Sequence, residues 1–189
     1  MTQAATLTQQ QLQRALDYTR NNQRHARRNR AILLLTHWAG MRVGEVAALR
    51  YCDVISSVGD IVAEIRLTAQ QTKGSRSRTV VLSERMRAEL AIYCTHYRPR
   101  NITDPLFYTQ RRAGFTADTL THIINGLYQR AGLDGASSHS GRRTFITTLA
   151  EKGVSARVLM SLAGHQNLST TQRYIDIKPS MLRAAVELV

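Results

Sequence analysis

Four short stretches of the chain carry side chains suited to one kind of chemistry. Ala39-Gly40-Met41-Arg42-Val43-Gly44-Glu45 sets an arginine just past a glycine able to stop a helix. Thr72-Lys73-Gly74-Ser75 offers a lysine on a polar turn, and His139-Ser140-Gly141-Arg142-Arg143-Thr144-Phe145 spaces a histidine three residues before an arginine. If a helix begins at His139, both project from about one face. Leu162-Ala163-Gly164-His165 comes last, with Tyr174 following at i+9. Opening a phosphodiester by transesterification passes through a five-coordinate phosphorus whose non-bridging oxygens carry extra negative charge. Cationic donors must already be in place to meet that charge, and the planar guanidinium fork matches phosphate geometry. Arg42 and Arg142 are the candidate clamp. Tyr174 is of a type that can attack in line and form a covalent intermediate, and Glu45, three residues past Arg42, is placed to orient that arginine.

Taken singly, each residue has a plainer reading. Arg42 and Glu45 could form a surface ion pair worth about 0–1 kcal/mol. Lys73 could be a solvated turn residue, His139 a contact at a helix start, His165 a helix-end residue beside Gly164, and Tyr174 a core tyrosine. The conjunction, in this order, carries the argument.

That conjunction resembles the tyrosine recombinase (phage integrase) family, from roughly Thr6 to Tyr174. The phrases AGMRVGEVAALR and LAGHQNLSTTQRYI are close to the family's most specific signatures. The resemblance implies that Tyr174 holds a 3′-phosphotyrosine while Lys73 protonates the leaving 5′-oxygen. It implies that His139 assists proton transfer from the tyrosine and that His165 hydrogen-bonds a phosphate oxygen. The implied activity is integration, excision or inversion of double-stranded DNA by a site-specific recombinase, without metal, ATP or other cofactor. Two readings compete: a non-catalytic DNA-binding regulatory protein on the same fold, and type IB topoisomerase-like DNA relaxation. The sequence departs from the family at Gly141, usually a leucine, and at Arg143, frequently a histidine.

The elements that must position these groups follow from the hydrophobic period. Thr8 and Gln11 have capping-box spacing and open a helix to about Arg20, with Leu12, Ala15 and Leu16 on one face. A second helix opens at Arg24 to Arg30, continues through the apolar run from Ala31 to Trp38 and stops at Gly40. A short third helix carries Val43, Val46, Ala47 and Leu49. The period then switches to two over Ile61 to Leu67 and over Thr79 to Leu82, predicting two antiparallel strands joined by the polar turn Gln70 to Arg78. Ser83 caps a helix to about His96. Pro99 to Pro105 reads as a loop, and Leu106 to Tyr108 as a short extended piece. Helices are predicted over Ala117 to Arg130, Ser140 to Lys152, Ser155 to Ala163, Ser169 to Tyr174 and Pro179 to Leu188, with Gly132, Gly153 and Gly164 between them. The fold class is mostly α with a small antiparallel β-sheet (α+β), and no repeat or linker divides residues 1–189.

Charge supports a polyanionic partner. Lys and Arg number 26 against 13 Asp and Glu, a formal +13, which favours double-stranded DNA over a membrane surface. Arg24, Arg27, Arg28, Arg76, Arg78 and Arg143 are the candidate DNA-binding arginines. The carboxylates are scattered, without the clustered acids of a two-metal nuclease, and no metal ligands are assigned. No apolar run can span a bilayer, the N-terminus lacks a signal-peptide core, and Cys52 and Cys94 are too few for a disulfide scaffold. A cytoplasmic location follows. Only residues 1–41 precede Arg42, the first residue of the family's expected active site, so the chain is expected to be a catalytic domain alone, without the family's N-terminal core-binding domain. It thus resembles the short fimbrial phase-variation invertases, or a piece of a longer protein. A catalytic domain without that second domain neutralises fewer phosphates, so specificity is expected to draw on a homo-tetramer assembled on DNA, a DNA-bending protein or a partner recombinase. The amphipathic segment 179–189 has two open readings: docking on a neighbouring protomer, or folding back on its own core.

Overall fold

The computed structural model describes residues 4–22, 25–72, 74–175 and 179–187. The first helix, α1 (Gln9–Asn22), starts where the capping box places it. Thr8 N–H donates to Gln11 Oε1 at 2.8 Å and Gln11 N–H returns to Thr8 Oγ1 at 3.2 Å. Then α2 (Ala26–Trp38) runs through the middle of the domain, and Ala31 to Leu35 are at most 2% exposed. A helix apolar on every side can be satisfied only by burial on every side, and α2 packs against α1, α5 (Glu84–His96) and α7 (Ser140–Glu151). Gly40, at φ +61, turns the chain out of α2 in a conformation other residues rarely adopt. The chain proceeds directly into α3 (Val43–Ala47).

Next comes α4 (Tyr51–Val54), a single turn that the periodicity misses. It exists because Asp53 reaches back to the Arg50 N–H at 2.8 Å. The strands β1 (Glu64–Leu67) and β2 (Arg78–Val81) pair antiparallel, with Glu64 opposite Val81 and Leu67 opposite Arg78. The first strand is shorter than expected because Ile61 pairs with Ile55 in an isolated bridge instead. Ile65, Leu67 and Val80 turn inward. Beyond α5, Leu106 and Phe107 are buried in the core, and Tyr93 donates its hydroxyl to the Leu106 carbonyl at 2.7 Å.

The C-terminal half supplies α6 (Ala117–Arg130), α7, α8 (Ala156–Ala163), α9 (Leu168–Gln172) and α10 (Pro179–Val186). The α+β class is as expected, and one boundary shift bears on a candidate site residue. α9 ends at Gln172, so Tyr174 stands on the turn after it, with its N–H on the Thr171 carbonyl at 3.0 Å. At Gly141 the backbones of α7 and α2 come so close that a Cβ would lie 2.8 Å from Thr36 Cβ and 2.9 Å from His37 Cδ2. The departure at that position is therefore a packing requirement of this chain.

Candidate active site

The hub of the site is the C-terminal end of α8. The last carbonyls of a helix lack intrahelical partners and carry the negative end of its dipole. Here three consecutive ones each accept from a different guanidinium. Leu162 O takes Arg78 Nη1 at 2.9 Å, Ala163 O takes Arg142 Nη2 at 2.5 Å, and Gly164 O takes Arg42 Nη2 at 3.2 Å. Arg142 also donates through Nη1 to Gly40 O at 2.6 Å, which ties α7 to the turn that ends α2. These anchors fix the two arginines of the expected clamp and leave the rest of each fork for a ligand.

Glu45 is the counter-charge, 1% exposed. Its Oε2 accepts the Arg42 backbone N–H at 2.8 Å, capping α3, while Oε1 accepts Arg42 Nη1 at 2.8 Å. Arg78 completes the arrangement, giving Nε to Oε1 at 3.0 Å and Nη2 to Oε2 at 2.8 Å. Burial opposes ionisation of Glu45, yet the hydrogen bonds and charges of Arg78 and Arg42 outweigh it and hold the carboxyl below its ordinary value. Arg142 is 6% exposed; burial, with Arg42 and Arg78 beside it, brings its pKa down to about 9. It remains protonated at neutral pH.

His165 follows the left-handed Gly164 (φ +61), and its N–H closes back on Met160 O at 3.0 Å. Its Nδ1 lies 2.8 Å from the hydroxyl of Thr171, which is fully buried. Burial first, and then the charges of Arg142, Arg42 and Arg78, lower its pKa to about 4. The ring is thus neutral near pH 7, and with Nδ1 held by Thr171 it has Nε2 for a second partner. The Tyr174 ring stacks on His165 at 5.8 Å between centroids, and Arg143 lies 5.8 Å over the same ring. His139, exposed, stands at the N-cap position of α7 without a side-chain capping hydrogen bond.

Arg42, Glu45, His139, Arg142, His165 and Tyr174, drawn from sequence positions far apart, all line one open cleft of about 870 Å³. Arg143 lines it too. Lys73 and Arg24 lie outside the described residues. Of the other candidate DNA-binding arginines, Arg27 and Arg76 are exposed. Two require correction. Arg28 is 7% exposed, donates to Asn29 Oδ1 and to Tyr108 O at 3.1 Å, and covers the Phe115 ring. Arg78, its side chain 9% exposed, is taken up by Glu45 and Leu162. Both are held inside the fold by partners distant in sequence. Sequence reasoning also missed Thr171, whose only signal was a small hydroxyl residue shortly before the tyrosine. Among the described residues, no three His, Cys, Asp or Glu side chains gather as metal ligands would.

Comparison with known proteins bears on the family and the fold. The family model described as the phage integrase family matches residues 5–181. Tyrosine recombinase XerD of Neisseria meningitidis serogroup A is 29% identical over 185 residues, covering 96% of this chain and 61% of that protein. Tyrosine recombinase XerC of Bacillus subtilis is 31% identical over 184 residues, covering 94% and 58%. This chain therefore spans about six-tenths of the length of these relatives. Among solved structures, XerA recombinase superposes with a TM-score of 0.76 at 24% identity, covering 100% of this chain and 66% of that one. The Tn1549 transposon integrase in complex with a circular intermediate DNA gives 0.76 at 18% identity, covering 100% and 67%. At such identities the likeness establishes the fold, which is the expected recombinase catalytic-domain fold. Matched over nearly its whole length, the chain belongs to the phage integrase family.

Proposed function

We propose that this chain is the catalytic unit of a site-specific DNA recombinase that cleaves and rejoins double-stranded DNA through a 3′-phosphotyrosine on Tyr174. The observation that carries the reading is the convergence of Arg42, His139, Arg142, His165 and Tyr174 on one cleft. The Tyr174 oxygen attacks phosphorus and the bond from phosphorus to the 5′-oxygen breaks. The tyrosine proton leaves with the help of His139, and Lys73 delivers a proton to the departing oxygen. Arg42 and Arg142 meet the charge that grows on the non-bridging oxygens, and neutral His165 donates from Nε2. The phosphotyrosine conserves the energy of the broken bond, so attack by a 5′-hydroxyl rejoins the strand without a nucleotide.

Double-stranded DNA is the proposed partner, with Arg27, Arg76 and Arg143 on its phosphates. Assembly as a tetramer on DNA is part of the reading. Leu182 and Val186 of α10 are 58% and 72% exposed, which supports docking of that helix on a neighbouring copy over folding back. Among the described residues no helix is long and apolar enough to cross a membrane.

The test incubates the protein, and separately Tyr174→Phe, with a supercoiled plasmid carrying the DNA that flanks its own coding sequence, in EDTA and without ATP. A denaturing gel should show a protein–DNA adduct with the first and none with the second. Binding by both proteins without any adduct would overturn the catalytic reading in favour of a binding module. Recombination between two sites separates a recombinase from a topoisomerase, which would only relax the plasmid.

A further inference from the structure

We infer that Arg78 is a positioning residue of this site, sharing Glu45 with Arg42 and securing the turn that presents His165, so that it acts on cleavage without touching DNA. The inference rests on the reading of the cleft as a phosphodiester-cleaving site. Arg78 begins β2 and lies away from the cleft lining. Its Nε and Nη2 donate to Glu45 and its Nη1 to Leu162 O, so all three guanidinium nitrogens are engaged inside the protein. Its aliphatic stem passes so close to Gly164 that a Cβ there would collide with Arg78 Cδ. One side chain therefore ties the β-hairpin to the counter-charge of the site and to the residue before His165.

The electrostatics say what this tie does. A single buried carboxylate sits between two guanidinium groups. Glu45 Oε1 is divided between Arg42 Nη1 and Arg78 Nε, and Oε2 between the Arg42 backbone N–H and Arg78 Nη2. Because Arg78 makes two of the four hydrogen bonds to the carboxylate, the Arg42 guanidinium is held by one bond to Glu45 and one to Gly164 O. Its remaining charge stays at the cleft. Remove Arg78, and the same carboxylate draws the Arg42 fork inward to satisfy both oxygens, since a buried charge without partners is costly. The α8 end would also lose the donor on Leu162 O, loosening the frame of His165.

Arg78→Met and Arg78→Lys test the inference through two readouts: the single-turnover rate of adduct formation at saturating protein, and DNA affinity across a salt series. The expected result for Arg78→Met is a rate about 10–100-fold lower, the range for residues that orient a reacting group. Its DNA affinity and salt slope should stay at wild-type values, since no phosphate contact is lost. Arg78→Lys keeps the charge but cannot span both Glu45 oxygens and Leu162 O, and should recover part of the rate. It also decides the matter if Arg78→Met does not fold at the assay temperature. A third readout needs no DNA, namely the NMR titration of His165, which is faced by Arg142, Arg42, Arg78, Thr171 and Tyr174. Its midpoint should rise in Arg78→Met. Weaker, less salt-sensitive DNA binding with wild-type cleavage of the bound DNA would overturn the inference and return Arg78 to the phosphate contacts. If the wild type forms no adduct, the reading of Tyr174 fails separately. The His165 titration then still decides Arg78, and an unchanged midpoint overturns it.

Discussion

Replacing Gly141 with alanine sets two known effects against each other, and the structure says which wins. On an open helix face, Gly→Ala stabilises by about 1 kcal/mol. At 141 the new methyl would instead lie 2.8 Å from Thr36 Cβ and 2.9 Å from His37 Cδ2, with Thr36 Oγ1 closer still. Neither neighbour can withdraw. Thr36 is 1% exposed and its hydroxyl donates to Leu33 O at 2.7 Å; His37 is 5% exposed and its Nε2 pairs with the Tyr128 hydroxyl at 2.9 Å. Rotating Thr36 about χ1 moves Oγ1 but leaves Cβ where it is, so α7 must lift from α2. Overpacking of this kind costs about 1–3 kcal/mol, which leaves a net loss of up to about 2 kcal/mol after the propensity gain. At about 2–4 °C per kcal/mol for a domain of this size, Tm should fall by up to about 8 °C. Arg142 is the next residue, and its bonds to Gly40 O and Ala163 O depend on where α7 sits. Adduct formation per folded molecule should therefore fall as well. Urea denaturation and thermal melting of Gly141→Ala, alone and with Thr36→Ala, measure the effect, and the second change should restore part of the loss. A rise in Tm would refute the packing argument.

Three further outcomes follow from individual contacts. Thr171→Val keeps the shape but removes the hydroxyl on His165 Nδ1; adduct formation should drop about 10-fold at unchanged DNA affinity, and a wild-type rate would rule out this support. Gly164→Ala meets both a left-handed backbone and the Arg78 stem, so urea denaturation should show a loss of about 1–2 kcal/mol or more, and unaltered stability would contradict the close approach. Acid should weaken the fold through His37, whose pKa burial lowers from 6.5 to about 4. The unfolded chain takes up that proton and the native state resists it, so the stability is present above pH 6.5 and is lost as pH falls toward 4. Between pH 7 and pH 5 this amounts to about 2 kcal/mol, seen as a smaller pH effect in His37→Gln than in the wild type; equal losses in both would refute it.

What was legible in the sequence was what local chemistry decides. Thr8 and Gln11 make both bonds of their capping box, Gly40 turns the chain out of α2, and the apolar run from Ala31 has no face left for water. The candidate residues of the site were legible as a set because their order is a family signature. Long-range partners were not. An arginine among arginines looks like surface, yet Arg28 is held by the Tyr108 carbonyl and Arg78 by Glu45, contacts that exist only once the chain has folded. The α4 turn is too short to show a period, and its Asp53 is further held by Gln71 Nε2 at 2.6 Å from another loop. The close approach at Gly141 belongs to two helices far apart in sequence, so the residue read as a departure before it could be read as a fit.

If the bond to DNA forms at Tyr174, the most direct measurement is of the attachment site itself. The adduct formed on the flanking-sequence plasmid would be digested with nuclease and protease, and the nucleotide-bearing peptide sequenced by mass spectrometry. The expected product is a nucleotide joined through its 3′-phosphate to the Tyr174 oxygen, with a free 5′-hydroxyl on the other side of the break. A nucleotide on another residue, or linkage through a 5′-phosphate, would contradict it.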